Sequence, residues 1–205
     1  MTGERTKTIA EQFDRLTKLA CDNATTATWT TRGRQAITLC SEPAIRTARD
    51  LPRSMGMVDC VLLGKLRDLV SGNLPWPLFL WGPAGSGKTC AALALCDFAH
   101  ESYMATVGDV CDAIMKPDHH KIETLQKHEL IALDELGTRN TPSELEYKAV
   151  KMIADAREAR RNRVAIYISN LPPSAMTEIY DDRIASRVLC GTIHELDGKD
   201  RRASS

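Results

Sequence analysis

The stretch that decides the fold is WGPAGSGKTCAALAL, residues Trp81–Leu95. It places three glycines within six residues, then a lysine and a threonine, and then a run of helix-forming residues. Glycine loses more conformational freedom on folding than any other residue, so its concentration here indicates a backbone that other residues cannot easily follow. The apolar segment LFLW, residues 78–81, comes immediately before the glycines and predicts a strand. The predicted order is therefore strand, glycine-rich loop and helix.

The loop matches the phosphate-binding pattern G-x-x-x-x-G-K-[ST] through Gly82, Gly87, Lys88 and Thr89. In this motif the backbone N–H groups of the loop and the helix N-terminus surround the phosphates of a nucleotide. Lys88 is expected to reach the β- and γ-phosphates, and the Thr89 hydroxyl is expected to bind Mg²⁺. A glycine-rich turn that matches by accident is the alternative, and the flanking strand and helix argue against it. The predicted nucleotide-binding residues are Gly82, Pro83, Ala84, Gly85, Ser86, Gly87, Lys88, Thr89 and Cys90.

A second element of the candidate site is LIALDEL, residues 130–136, which predicts a buried strand with two acids near its end. Open parallel sheets bind their ligands at the carboxyl edge of the strands. There Asp134 is expected to hold Mg²⁺, directly or through water, and Glu135 to polarise the attacking water. An acidic strand end that starts a loop is the common alternative. Because the phosphate loop precedes this strand, with the predicted strand YMATV between them, we favour the magnesium and hydrolysis roles.

Two further candidates are more ambiguous from the residues alone. Asn170 ends the segment YISN, at the end of the predicted strand VAIYIS, where an amide can orient water or sense a γ-phosphate. Taken alone, a turn asparagine before LPP explains it better. Arg183 and Arg187 lie four residues apart in DDRIASRVL and share one face of a predicted helix. Two solvated arginines are the usual outcome, and the alternative is a guanidinium offered to the nucleotide of a neighbouring subunit.

The region from Val58 onward alternates predicted helices with near-continuous apolar strands, which indicates a parallel sheet covered by helices on both faces. In TPSELEYKAVKMIADAREARR, Thr141 and Glu144 are expected to form a capping box, with Pro142 at the first helical position. The basic run Arg157–Arg163 is interpreted as a solvated helix end, with nucleic-acid contact as the alternative. The predicted apolar stripe of this helix is Leu145, Ala149, Met152, Ile153 and Ala156.

The bulk composition excludes several classes of protein. Acidic and basic residues balance at 27 each, so no net charge draws the whole chain to nucleic acid or to a membrane. The polar first eight residues do not form a secretory signal, and no apolar run approaches the roughly 20 residues of a membrane span. Seven cysteines without a CxxC pair indicate reduced thiols, so we expect a cytoplasmic protein. His119, His120 and His128 fit no zinc pattern and are expected in a polar surface loop.

Two segments of different character divide the chain. Residues 1–55 are expected to form an N-terminal arm, and residues 56–205 the nucleotide-binding core. The arm carries an apolar stripe at helical spacing from Ile9 to Ala20, which is too little to bury a core of its own. We expect this stripe to bind a partner, and packing on the core is the alternative.

Taken together, GPAGSGKT, LIALDELG, YISNLP and DDRIASRVL resemble the motifs of the AAA+ ATPases. Within them they resemble the DnaC-type helicase loaders and the IstB-type transposition helpers, over about residues 58–202. The resemblance implies an α/β P-loop AAA+ three-layer sandwich with a central parallel sheet, the phosphate-loop strand at its centre, and a reduced or absent lid. It also implies that Asn170 is the sensor-one residue and that Arg187 is an arginine finger supported by Arg183.

The same resemblance implies an ATPase that uses ATP and Mg²⁺, forms an ATP-dependent homo-oligomer, and acts with a replicative helicase and single-stranded DNA. We therefore interpret the chain as a DnaC-like helicase loader in DNA replication. The alternatives are an IstB-type helper of a transposase and an ATP-gated adaptor with little hydrolysis. A P-loop small-molecule kinase would need a substrate-binding insertion that the sequence does not supply. Arg201 and Arg202 are candidates for the second sensor arginine that a full lid carries.

Overall fold

Five short parallel strands form one sheet in the part of the chain that this computed structural model describes. The structure describes residues 65, 68–69, 73–96, 101–138, 142–159 and 163–197. Across the sheet the strands follow the order β2-β3-β4-β1-β5, so β1 is an interior strand and β4 occupies the centre. In chain order the strands are β1 (Leu78–Trp81), β2 (Ser102–Thr106), β3 (Leu130–Leu136), β4 (Val164–Ser169) and β5 (Thr192–Glu195).

Helices cover both faces of this sheet. Leu80 and Ile168 lie in the hydrophobic cluster under the first helix, whereas Phe79 and Tyr167 lie in the cluster under the others. This is the alternation of side chains expected along a strand. The predicted three-layer α/β fold with a parallel sheet is confirmed. The helices between the strands are α1 (Lys88–Cys96), α2 (Val107–Met115), α3 (His119–Lys127), α4 (Glu144–Glu158), α5 (Pro173–Ile179) and α6 (Asp182–Leu189).

Several predictions fall on residues that the structure does not describe. These are the N-terminal arm, residues 1–55, most of the predicted helix that starts at Val58, and the two candidate sensor arginines, Arg201 and Arg202. The description stops at Asp197, shortly after β5, so the predicted absence of a full lid stays a prediction. Among the described helices, none has both the length and the apolar character needed to cross a membrane.

The capping box of α4 lies two residues beyond the predicted one. Ser143 is the N-cap, and its Oγ accepts a hydrogen bond from the Glu146 backbone N–H at 3.2 Å. The Glu146 carboxylate accepts one from the Ser143 N–H at 2.7 Å. The prediction of a box starting at Thr141 was wrong. The pairs Thr141–Glu144 and Ser143–Glu146 have the same spacing in the sequence, and the helix begins after Ser143, whose backbone is extended. Pro142 therefore precedes the cap instead of opening the helix.

The buried face of α4 also differs from the predicted stripe. Ala149 and Ile153 are buried as predicted, but Val150, Ala154 and Arg157 complete the buried face. Met152, Leu145 and Ala156 are only partly buried. The helix is therefore rotated so that an arginine near its C-terminus points into the protein.

The histidine segment is a helix and not the surface loop that we predicted. α3 begins after Asp118, whose carboxylate accepts a hydrogen bond from the Lys121 backbone N–H at 2.9 Å. His119 and His120 lie in its exposed first turn, and His128 is the C-cap. Leu125 is its one buried residue among those described. The helix has only two apolar side chains, Ile122 and Leu125, which is too few to mark a helix in the sequence.

Arg157 near the end of α4 and Arg163 directly before β4 bind backbone carbonyls at the end of α3. Arg157 is 8% exposed and donates hydrogen bonds to the carbonyls of Leu125 and His128. Arg163 donates to the carbonyl of Gln126. Burial lowers the pKa of Arg157 to about 10, so the group stays charged at neutral pH. The interpretation of this run as a solvated helix end was therefore wrong for Arg157 and Arg163. Their guanidinium groups bind carbonyls at the C-terminus of α3, where a helix has unpaired carbonyls and a partial negative charge.

Candidate nucleotide-binding and hydrolysis site

The phosphate loop joins β1 to α1 with the backbone that its glycines allow. Gly82, Gly85 and Gly87 have φ values of 141°, 75° and 98°, in the region that side-chain-bearing residues rarely adopt. Gly82 has a steric reason as well, because an added Cβ would lie 2.2 Å from the carbonyl oxygen of Leu196. Leu196 is held there by its N–H, which donates to the Trp81 carbonyl at 2.8 Å. The glycine clustering in the sequence is thus explained by backbone geometry and by close packing.

Lys88 occupies the inside of this loop. The residue is 6% exposed, and its Nζ donates to the carbonyl oxygens of Gly82 at 2.8 Å and Pro83 at 2.7 Å. A third contact reaches the Ser86 Oγ at 3.4 Å. The loop therefore closes around one ammonium group at the N-terminus of α1, where the helix adds its own partial positive charge. This arrangement suits an anionic ligand.

Thr89 and Asp134 meet although they are 45 residues apart in the chain. The Thr89 hydroxyl, in the first turn of α1, donates to Asp134 Oδ2 at 2.8 Å. The other carboxylate oxygen, Oδ1, accepts the backbone N–H of Glu135 at 2.7 Å. A hydroxyl beside a carboxylate is a set of hard oxygen donors of the kind Mg²⁺ prefers.

The described residues contain no group of three or more His, Cys, Asp or Glu side chains that could hold a metal ion by themselves. Mg²⁺ is usually held by one or two protein ligands plus phosphate oxygens and water, and Thr89 and Asp134 would supply two such oxygen ligands. Their role as metal ligands stays a prediction.

Glu135 lies in an irregular part of β3 that the sequence analysis did not predict. Its φ is +66°, an uncommon value for a residue other than glycine. The register between β3 and β4 shifts between Leu133 and Leu136, so one extra residue of β3 is accommodated there. Such bulges redirect a side chain and are frequent beside active sites. The Glu135 side chain is exposed at the carboxyl edge of the sheet.

Strand register places Asn170 between the two main parts of the site. Ser169 pairs with Trp81 of β1 on one side and with Leu136 of β3 on the other. Asn170 follows Ser169, so it leaves the sheet beside the start of the phosphate loop and beside the end of the acidic strand. The residue is exposed. This placement agrees with the predicted contact to a γ-phosphate or water.

Ser169 is a residue of the site region that sequence reasoning missed. It is 1% exposed, and its hydroxyl donates to the Leu136 carbonyl at 2.8 Å. The same oxygen accepts the Leu171 N–H at 3.0 Å. The segments LDELG and SNLP are thus in direct contact, through the hydrogen bond between Ser169 and Leu136. The available signal in the sequence is a small hydroxyl residue directly before Asn170, at the end of the predicted strand.

The two arginines of α6 lie in different environments. Arg183 is exposed, as a solvated helix residue would be. Arg187 has a side chain that is 17% exposed and forms ion pairs with Asp155 and Glu158 of α4. A hydrogen bond from Lys151 lowers the pKa of the Asp155 carboxyl, and the charge of Arg187 lowers it further. Burial acts in the opposite direction, but the net effect is a lowered pKa. In this structure Arg187 therefore contacts its own chain, and a role on a neighbouring nucleotide stays a prediction.

Comparison with known proteins gives structural matches. Neither a family model nor a curated protein sequence matches the chain. The replication initiator DnaA bound to AMPPCP and single-stranded DNA aligns with a TM-score of 0.59 at 18% identity, covering 70% of this chain and 48% of that one. The chain thus spans about half the length of that DnaA structure.

Two smaller proteins match over most of their length. DnaI aligns with a TM-score of 0.55 at 17% identity, covering 68% of this chain and 87% of that one. The DnaC helicase loader aligns with a TM-score of 0.52 at 15% identity, covering 67% and 88%. At these identities the likenesses show that the chain shares the α/β fold of these proteins.

Proposed function

We propose that this protein is an ATP-binding and ATP-hydrolysing AAA+ protein that acts in DNA replication as a DnaC-like helicase loader. The observation that carries the ATPase part is the hydrogen bond between Thr89 and Asp134. It joins the helix that follows the phosphate loop to the strand that bears the acidic pair, which is the juxtaposition that a magnesium nucleotide requires.

The phosphate loop binds the nucleotide in this proposal. Lys88 exchanges its contacts to the carbonyls of Gly82 and Pro83 for the β- and γ-phosphates. Backbone N–H groups of the loop and the N-terminus of α1 donate to the remaining phosphate oxygens. Thr89 and Asp134 hold Mg²⁺, which neutralises part of the phosphate charge when bound.

In this proposal hydrolysis depends on Glu135, near the end of β3, and on Asn170, which follows β4. Glu135 accepts a proton from the attacking water, and the Asn170 amide orients that water or the γ-phosphate. The carboxylate is suited to this task because it is exposed at the sheet edge, next to Asp134 but redirected by the bulge. Separate tasks for two neighbouring acids, one on the metal and one on water, follow from this difference in placement.

Self-association and partner binding complete the proposal. Arg187 leaves Asp155 and Glu158 and reaches the nucleotide of a neighbouring subunit, with Arg183 supporting it. The assembled protein contacts single-stranded DNA and a replicative helicase, and the arm, residues 1–55, provides a helicase contact. Support comes from the shared fold with a DnaA bound to AMPPCP and single-stranded DNA and with a DnaC helicase loader.

The experiment that tests the proposal compares the full chain with Lys88→Ala. Calorimetry with ATP and Mg²⁺ is expected to show sharply weaker binding for the variant, and co-purification with the hexameric replicative helicase is expected to require ATP and an intact Lys88. Lys127→Ala is a matched control, because Lys127 is exposed and pairs only with a neighbouring glutamate on α3 among the described residues. Equal ATP affinity in Lys88→Ala contradicts the phosphate-loop assignment. ATP binding without helicase association contradicts the loader role.

A further inference from the structure

Ser169 connects the two strands from which the proposed catalytic groups emerge. Its hydroxyl uses both of its hydrogen-bonding capacities, donating to Leu136 at the end of β3 and accepting from Leu171 just after β4. Glu135 directly precedes Leu136, and Asn170 lies between Ser169 and Leu171. One buried hydroxyl therefore bridges the backbone next to each of the two exposed polar side chains.

The backbone needs such a bridge at this point. The regular pairing of β3 with β4 is interrupted between Leu133 and Leu136, and Glu135 has a positive φ. An interrupted ladder holds a strand less firmly than a continuous one, and a positive φ costs energy in any residue with a side chain. On its N-terminal side Glu135 is held through Asp134, whose carboxylate binds both Thr89 and the Glu135 N–H. On the C-terminal side of Glu135, the Ser169 hydroxyl donates a hydrogen bond to the Leu136 carbonyl.

We propose that Ser169 is a positioning residue for ATP hydrolysis. By fixing the Leu136 carbonyl and the Leu171 N–H to one oxygen, it sets the spacing between the Glu135 carboxylate and the Asn170 amide, so that one water can contact both. The inference rests on the proposed ATPase function. It assigns Ser169 no contact with ATP, so its effect should fall on turnover and leave nucleotide affinity nearly unchanged.

The test measures kcat, KM and ATP affinity for the full chain, Ser169→Ala and Ser169→Thr. Losing the bridge in Ser169→Ala is expected to lower kcat by about 10- to 100-fold, the range that follows a displacement near 1 Å at a reacting group. KM and the calorimetric affinity are expected to stay within about twofold. Ser169→Thr restores the hydroxyl and is expected to recover a large part of kcat.

Thr192→Val supplies the matched control. Thr192 is 9% exposed, and its hydroxyl donates to the Pro75 carbonyl at 2.7 Å at the start of β5, away from the carboxyl edge. The Thr192→Val variant therefore loses a comparable hydrogen bond between a side chain and the backbone, at a position away from the site. A similar drop in thermal midpoint for Thr192→Val and Ser169→Ala, with kcat lowered only in Ser169→Ala, supports positioning.

Three outcomes overturn the inference, and they separate it from the proposed function. A wild-type kcat in Ser169→Ala, in a chain that hydrolyses ATP, contradicts the positioning role alone. An equal loss of kcat in Thr192→Val shows a general effect of stability and contradicts it too. A wild-type chain that binds no ATP, or does not hydrolyse it with or without single-stranded DNA, overturns both proposals.

Discussion

Two polar regions of this molecule contrast in how their charged groups are used. The phosphate edge, which comprises Gly82–Thr89, Asp134, Glu135 and Asn170, keeps Glu135 and Asn170 exposed at the carboxyl ends of the strands. The arginine cap, which comprises Arg157 and Arg163, directs its charges onto carbonyls at the end of α3. Both regions are conspicuous in the sequence. The exposed Glu135 and Asn170 thus remain available to a ligand, whereas the two arginines of the cap are already bound within the fold.

The contrast predicts that the two regions respond to substitution in opposite ways. Changes to the exposed side chains of the phosphate edge, Glu135 and Asn170, should lower the rate of ATP hydrolysis and leave the free energy of unfolding nearly unchanged. Changes in the arginine cap should lower the free energy of unfolding and leave nucleotide affinity unchanged. Arg187 is the residue whose place in this comparison most needs a test, because it pairs with α4 like a structural arginine and is proposed to act like a catalytic one.

The largest effect is expected for Arg187→Ala in the assembled protein. If its guanidinium completes a neighbouring site, ATP turnover should fall by ~10³–10⁵-fold while ATP affinity stays close to wild type. Mixing Arg187→Ala with Lys88→Ala should restore part of the activity, because some interfaces then pair an intact loop with an intact Arg187. The measurement is ATPase rate against the ratio of the two variants.

A second variant separates this role from a structural one. Asp155→Asn combined with Glu158→Gln removes the partners of Arg187 and keeps the arginine. A catalytic Arg187 predicts that this double variant still hydrolyses ATP. If Arg187→Ala instead retains wild-type turnover and is destabilised as much as the double variant, Arg187 belongs with the structural arginines.

Glu135→Gln is expected to have the next largest effect. The amide keeps the size of the side chain but cannot accept the proton of the attacking water, so turnover should fall by ~10²–10⁴-fold. ATP should remain bound, and the assembled form should accumulate in size-exclusion chromatography with ATP. Glu144→Gln, an exposed acid in the first turn of α4, is the control and should behave like wild type. Unchanged turnover in Glu135→Gln would assign the proton transfer to another group.

Arg157→Met is expected to have the smallest effect on nucleotide chemistry and a clear effect on stability. It keeps an apolar stem of similar length but leaves the carbonyls of Leu125 and His128 without their donor. Each buried group left unsatisfied costs about 1–3 kcal/mol, so the free energy of unfolding should fall by roughly that amount or more. Urea denaturation measures it, with Lys116→Met, an exposed residue, as the control. Weaker ATP binding in a folded Arg157→Met would break the proposed separation of the two regions.

The sequence predicted the parts of the molecule that have strong local patterns. The phosphate loop was predictable because Gly82, Gly87 and Lys88 stand at fixed spacing between an apolar strand and a helix. The carboxyl-edge position of Asp134 and Glu135 followed from the run of apolar residues before them. Parallel strands then bring such residues to one edge whatever the details of the helices.

Other features depend on contacts between distant segments and had no local pattern. The positive φ of Glu135 results from a register shift against β4, which the residues around it do not encode. The helix α3 buries Leu125 and has only one other apolar residue, Ile122, so the sequence offers too few apolar positions to mark it as a helix. Arg157 becomes structural because α3 ends beside it, a tertiary relation that the basic run alone cannot reveal.

The order of the strands has a consequence for the path of the chain at this edge. Because β4 separates β1 from β3, the ends of the latter two strands lie two strand spacings apart, about 9.5 Å. The Thr89 hydroxyl, in the first turn of α1, nevertheless contacts Asp134 of β3 at 2.8 Å. The chain that follows β1 therefore crosses that width before α1 begins, so a ligand bound at the N-terminus of α1 would lie beside the acids of β3 as well.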